Sequence, residues 1–181
     1  MENGKAKLGK LEIGLDQLAK FIVKAKKNCY AGNGQEERLR DGSKVLTFQD
    51  GDFHYTDNYA GFYQAPGTEI VRWQKADGQR LWQMSYHGRM LPEFRENEEF
   101  AKLTFRFLKL ALSEASQDKP FRGPEWDNGF RIDDWRFSNW LYKTKTEGNL
   151  TNFRGKERIF NELGNEVFSQ DYIGGLVIPK D

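Results

Sequence analysis

The stretch Trp82-Gln83-Met84-Ser85-Tyr86-His87-Gly88 alternates bulky or apolar residues with polar ones. A period of two marks a half-buried β-strand. The pattern returns in Phe168-Ser169-Gln170-Asp171-Tyr172-Ile173-Gly174, where Tyr172 and Gly174 each follow Tyr86 and Gly88 by 86 positions. Working outward, Tyr55 and Tyr142 lie 87 apart, as do Gly61 and Gly148, while Gly67 and Gly155, and Glu69 and Glu157, lie 88 apart. Conservative pairs fill the intervals: Phe48 with Trp135, Phe53 with Trp140, Val71 with Ile159, Trp82 with Phe168. An ordered run of matches at an almost constant offset points to internal duplication rather than to chance likeness among aromatic strands.

The local signals give each half the same plan. Leu11, Leu15, Leu18, Phe21, Ile22 and Ala25 recur at helical spacing, and Lys24, Lys26 and Lys27 suit the negative end of a helix over about Asp16 to Lys27. Tyr30 to Gly34 stops it, and Gln35 to Gly42 reads as a loop. Strands follow at Lys44–Phe48 and Phe53–Asp57 around Gln49-Asp50-Gly51-Asp52, then at Thr68–Gln74 and Arg80–His87 around Asp77-Gly78, a four-strand meander. A second helix is predicted from about Asn97 to Ser116, on the apolar face of Phe100, Leu103, Phe107, Leu108, Ala111 and Leu112. Aromatic strands are then expected from Phe130, Trp140, Glu157 and Glu166. The fold class is therefore α+β: one domain over 1–181, built from a duplicated helix plus antiparallel four-strand meander. The halves span about 15–91 and 97–178 and are related by a pseudo-twofold axis, with the likeliest cleft between them.

Composition narrows the function. Lys+Arg 28 against Asp+Glu 27 leaves a net charge of +1, so no nucleic-acid partner is expected. Cys29 alone cannot form an internal disulfide, and with only His54 and His87 as imidazoles no metal site is read, nor any cofactor. The polar segment Met1 to Lys10 and the lack of a long apolar run lead us to expect a cytoplasmic chain with no membrane contact. The glycines of Tyr30–Gly34 follow a helix rather than open one, so the segment is no phosphate-binding loop.

Tyr30-Ala31-Gly32-Asn33-Gly34, Gly67-Thr68-Glu69, Trp82 to Gly88, Arg122-Gly123-Pro124, Gly155-Lys156-Glu157 and Tyr172-Ile173-Gly174-Gly175 together resemble an uncharacterised bacterial domain family. The resemblance covers about Leu15 to Ile178. That family is a domain of unknown function found alone or behind an Xre-type helix-turn-helix. It implies a fold and no particular chemistry. The few residues before Asp16 are expected not to hold a helix-turn-helix, so a regulatory role would need a partner.

Glu69 and Glu157 stand out because alternation puts Glu69 on the face of Val71 and Trp73, and Glu157 on that of Ile159. A carboxylate on a core face needs donors, and Arg122, Arg154 and the tyrosines are available. In one reading each glutamate caps its own turn near Gly67 or Gly155. In the other the pair forms the polar floor of a ligand site walled by Trp73, Trp82, Tyr86 and Tyr172, with Arg122 able to meet an anionic group; each aromatic contact to a cation is worth roughly 0.5–2 kcal/mol. Core packing is the plainer role for Trp82 and Phe168. Three function classes follow: a small-molecule-binding or sensing module, a hydrolase of glycosidic or N-glycosidic bonds using the glutamate pair, and a protein-interaction module anchored by Trp126, Trp135 and Phe137.

Overall fold

A computed structural model of the chain describes residues 4–32 and 34–180. The chain opens with a hairpin, β1 (Lys5–Leu8) and β2 (Leu11–Gly14), turning at Gly9 with φ +64°. Leu11, which shares the helical spacing of Leu15 and Leu18, lies in this hairpin ahead of the helix: Leu8 and Ile13 alternate inward and are buried, so Leu11 belongs to a strand. Helix α1 (Leu15–Asn28) follows, with Asp16 in its first turn and Lys26 and Lys27 in its last, matching the helix dipole. It buries Leu18, Phe21, Ile22 and Ala25.

The main sheet has eight antiparallel strands. A short strand β3 (Glu37–Arg38) lies where a loop was expected, at one edge. Then come β4 (Lys44–Asp50), β5 (Phe53–Tyr59), β6 (Gln64–Trp73) and β7 (Arg80–Met90), the expected meander. Helix α2 (Glu98–Ser113) is capped by the Asn97 side chain, which accepts from the Phe100 N–H at 3.0 Å. The strands β8 (Leu141–Asn149), β9 (Asn152–Phe160) and β10 (Glu166–Leu176) complete the sheet in the order β3-β4-β5-β6-β7-β10-β9-β8. Tyr86 of β7 pairs directly with Tyr172 of β10, so the order reads β7-β6-β5 one way from the centre and β10-β9-β8 the other.

The second half has three strands, not four. Phe130 makes only an isolated bridge to Tyr142, and the residues matched to β4 form a 3-10 turn, Trp135–Phe137. Asp134 causes this, because its carboxylate accepts from the Arg136 N–H at 3.0 Å and pairs with the Arg136 guanidinium, closing a turn where a strand would need extended backbone. Trp135 is thus 87% exposed, whereas its predicted counterpart Phe48 packs against Phe21.

Both helices cover one face of the sheet. One cluster joins Leu18, Phe21 and Ile22 to Tyr55, Val71 and Trp82, and also draws in Phe121, Phe153 and Tyr172 from the second half. The other joins Phe107, Leu108 and Leu112 to Tyr142, Ile159, Val167 and Phe168, together with Met90 of β7. Among the described residues no helix is long and apolar enough to cross a membrane.

Candidate functional site

Besides Glu157, which shares the face of Phe153 and Ile159 on β9, three charged side chains sit on faces that are otherwise apolar. Lys26 follows Leu18 and Ile22 at steps of four on α1, Asp57 follows Phe53 and Tyr55 at steps of two on β5, and Glu69 precedes Val71 on β6. All three are buried. The sheet register sets Asp57 directly opposite Glu69. Arg122 enters from the connection between α2 and β8 and is buried as well.

These groups form one network. The Arg122 guanidinium donates to Glu157 Oε1 from Nε at 3.0 Å and Nη2 at 2.8 Å, and to Glu69 Oε1 from Nη1 at 3.3 Å. Glu69 Oε2 forms an ion pair with the Lys26 ammonium at 2.6 Å. Glu157 Oε2 accepts from the Tyr142 hydroxyl at 2.6 Å, which itself accepts from the Gly123 N–H at 3.0 Å. The Tyr86 hydroxyl donates to Asp57 Oδ1 at 2.7 Å, and the Arg122 guanidinium lies 5.6 Å from the Tyr86 ring centre. Neither glutamate caps a turn: each is held by cations or a tyrosine, so the turn-capping expectation is corrected by the arrival of Arg122 over both strands.

Burial and charge then act on the titrations. Loss of solvent, and after it the Glu69 charge, push the Asp57 carboxyl up to about 7. Burial draws the Lys26 ammonium below its ordinary range, against the pull of Glu69. Arg122 is held well above its ordinary value, the attraction of Glu157 and Glu69 outweighing its burial. The Cys29 thiol is pushed up to about 12 by burial, then by Asp57 and Glu69, so it stays protonated at neutral pH.

Beside this network lies a cavity of about 210 Å³. Its polar end is formed by Lys26, Asp57, Glu69, Tyr86, Arg122 and Gln170. Its walls are Tyr30 after α1, Tyr59 of β5, Phe62, Phe105 and Leu108 of α2, and Phe168 of β10. Gln170 is buried, and among the described residues its Nε2 has no hydrogen-bond partner. A buried amide normally finds one, so this orphan at the cavity wall calls for an explanation.

The cavity gathers three of the residues singled out from the sequence, Glu69, Tyr86 and Arg122. Glu157 lies behind Arg122, and Tyr172 is turned to Thr144 and Thr146, each hydroxyl 2.9 Å away. Trp82 is core, stacked on Phe153 at 5.7 Å, and Trp73 packs edge-on against Phe53 beside a different surface hollow. The cavity is lined from both spans, by α1, β5, β6 and β7 on one side and by α2, Arg122 and β10 on the other; it lies beneath α2 on the helix-covered face, while β7 and β10 are hydrogen-bonded along their length. Lys26, Asp57 and Gln170 complete the site. Asn33 of the glycine-rich segment lies outside the described residues.

The family model described as Domain of unknown function (DUF5680) matches residues 57–177, more than half of the chain. The chain belongs to this family. No curated protein and no solved structure matches it. The span matched as DUF5680 starts at Asp57 and takes in Glu69, Tyr86, Arg122, Glu157 and Gln170, while α1, which carries Lys26, precedes it.

Proposed function

We propose that the chain is a small-molecule-binding or sensing module whose ligand occupies the cavity beneath α2. The observation that carries this reading is the cavity itself: about 210 Å³, with aromatic walls over a buried polar end. An apolar cavity near 150 Å³ accommodates benzene, so this one has room for a single ring with a short polar tail. The orphan Nε2 of Gln170 supports the same reading, since a ligand acceptor would satisfy it. We further read the two halves as copies of one ancestral unit, on the strength of the constant offsets and the Tyr86–Tyr172 pairing.

The hydrolase reading has less behind it, because both oxygens of the fully buried Glu157 are engaged by Arg122 and Tyr142. The interaction reading loses one of its three anchors: Trp126 and Trp135 are exposed, but Phe137 is buried.

A thermal-shift screen against a broad metabolite panel tests the proposal. A ligand at 100 times its Kd adds roughly 2.7 kcal/mol, or about 5–10 °C in Tm for a chain of this size. Ala65→Phe, which places a ring in the cavity from β6, is expected to abolish that shift while leaving the unliganded protein folded. Shifts that survive Ala65→Phe would move the site elsewhere, and a silent panel would remove the reading.

A further inference from the structure

The same register position can be compared in the two halves. Asp57 stands opposite Glu69, and Tyr86 donates to it. Thr144 stands opposite Glu157, and the Tyr172 hydroxyl lies 2.9 Å from Thr144 Oγ1. Both places have a buried glutamate across the ladder and a tyrosine ring lying over a glycine, Tyr86 over Gly67 and Tyr172 over Gly155. At the position facing the glutamate a carboxylate stands in one and a neutral hydroxyl in the other, and Thr146 adds a second hydroxyl to Tyr172. A hydroxyl therefore suffices to close this part of the fold, and packing does not call for the Asp57 charge.

Among the described residues that charge has no cation of its own. Lys26 is paired with Glu69, and Arg122 with Glu157 and Glu69, so two cations match two carboxylates and Asp57 is the third. Its charged and titratable surroundings are Glu69 from β6, Tyr86 from β7, Lys26 and Cys29 at the end of α1, Arg122, and the tyrosines Tyr30, Tyr55 and Tyr59. The remaining cations on the cavity wall are Lys44, paired with Glu36 at 3.0 Å, and the exposed Lys109, 4.8 Å from the Tyr30 ring centre. An ionised carboxylate buried without a partner is costly, and a cation brought in from solution would remove that cost.

We propose that Asp57 is the cation-recognising group of the cavity, and that the ligand is a small monocationic amine with a flat apolar body seated among Tyr59, Phe62 and Phe105. This rests on the reading of the cavity as a ligand site. The ammonium takes the place of the Asp57 proton, so binding below about pH 7 releases a proton and tightens as pH rises toward that value.

Three probes of one shape decide it: 2-phenylethylamine, 2-phenylethanol and phenylacetate, measured by calorimetry at pH 5.5 and pH 8. The amine is expected to bind at least tenfold tighter than the alcohol at pH 8 and to lose most of that margin at pH 5.5. Asp57→Asn is expected to erase the margin and keep alcohol binding. Should that variant misfold, proton release by the wild-type chain, read from two buffers of different ionisation enthalpy, gives the same answer. Alcohol binding as tight as the amine, or phenylacetate tightest, overturns the cation inference and leaves the cavity a ligand site. Absence of binding by all three probes overturns the cation inference too, and only silence across the metabolite panel as well removes the site.

Discussion

Arg122 joins the two strands that carry the buried glutamates, and its removal leaves Glu157 without a cation and Glu69 with Lys26 alone. Arg122→Met is expected to destabilise the chain by roughly 3–5 kcal/mol, because breaking a buried pair leaves uncompensated charge. Urea unfolding measures this, and a loss below about 1 kcal/mol would show the network to be incidental. Asp57 has the opposite character. Its carboxyl rises from an ordinary value of 3.8 in the unfolded chain to about 7 in the fold. The native state therefore holds the proton more tightly, and stability falls as pH climbs through that window, by about 1.4 kcal/mol for each pH unit at most. Asp57→Asn should gain on the wild type between pH 4 and 7 and hold a constant advantage above; parallel stability curves would refute the assignment. Alternation singled out Glu69, and the same argument applied to Phe53, Tyr55 and Asp57, or helical spacing applied to Leu18, Ile22 and Lys26, would have found the other two. Gln170 carries no such mark, since a glutamine on a strand is unremarkable until its neighbours are known.

At the scale of the elements, β6 and β9 each pass beneath a tyrosine ring. A Cβ on Gly67 would lie 2.3 Å from the Tyr86 ring, and one on Gly155 2.3 Å from the Tyr172 ring. Gly67→Ala and Gly155→Ala are each expected to cost about 1–3 kcal/mol by overpacking, seen as a drop in Tm, and a neutral result at either would mean the ring swings aside freely. Both helices and seven of the main strands are written plainly in the sequence, because apolar periodicity and Asp-Gly or Gly-Asp turns mark them. The N-terminal hairpin escaped, since Leu11 fits the helical stripe as well as it fits a strand. The missing fourth strand of the second half escaped because Asp134 forms a turn inside an aromatic segment that scores as strand.

For the molecule as a whole, the two apolar clusters do not follow the two halves. Phe121, Phe153 and Tyr172 pack with α1, and Met90 packs with α2. The chain should therefore unfold in one transition, with calorimetric and van't Hoff enthalpies equal; two resolved transitions would mean that the halves are separate folding units. The sequence offsets led to the expectation of a cleft between the two spans without giving the strand order; the cavity is lined by residues of both, on the face covered by the helices. The most direct measurement is a crystal structure of the chain purified from its native host without denaturation, inspected beside Asp57 and Gln170. Density for a small non-protein molecule with a cationic end on Asp57 is the expected result. A cavity closed by inward rotation of Phe62 and Phe105, with Asp57 and Gln170 hydrogen-bonded to each other, would contradict it.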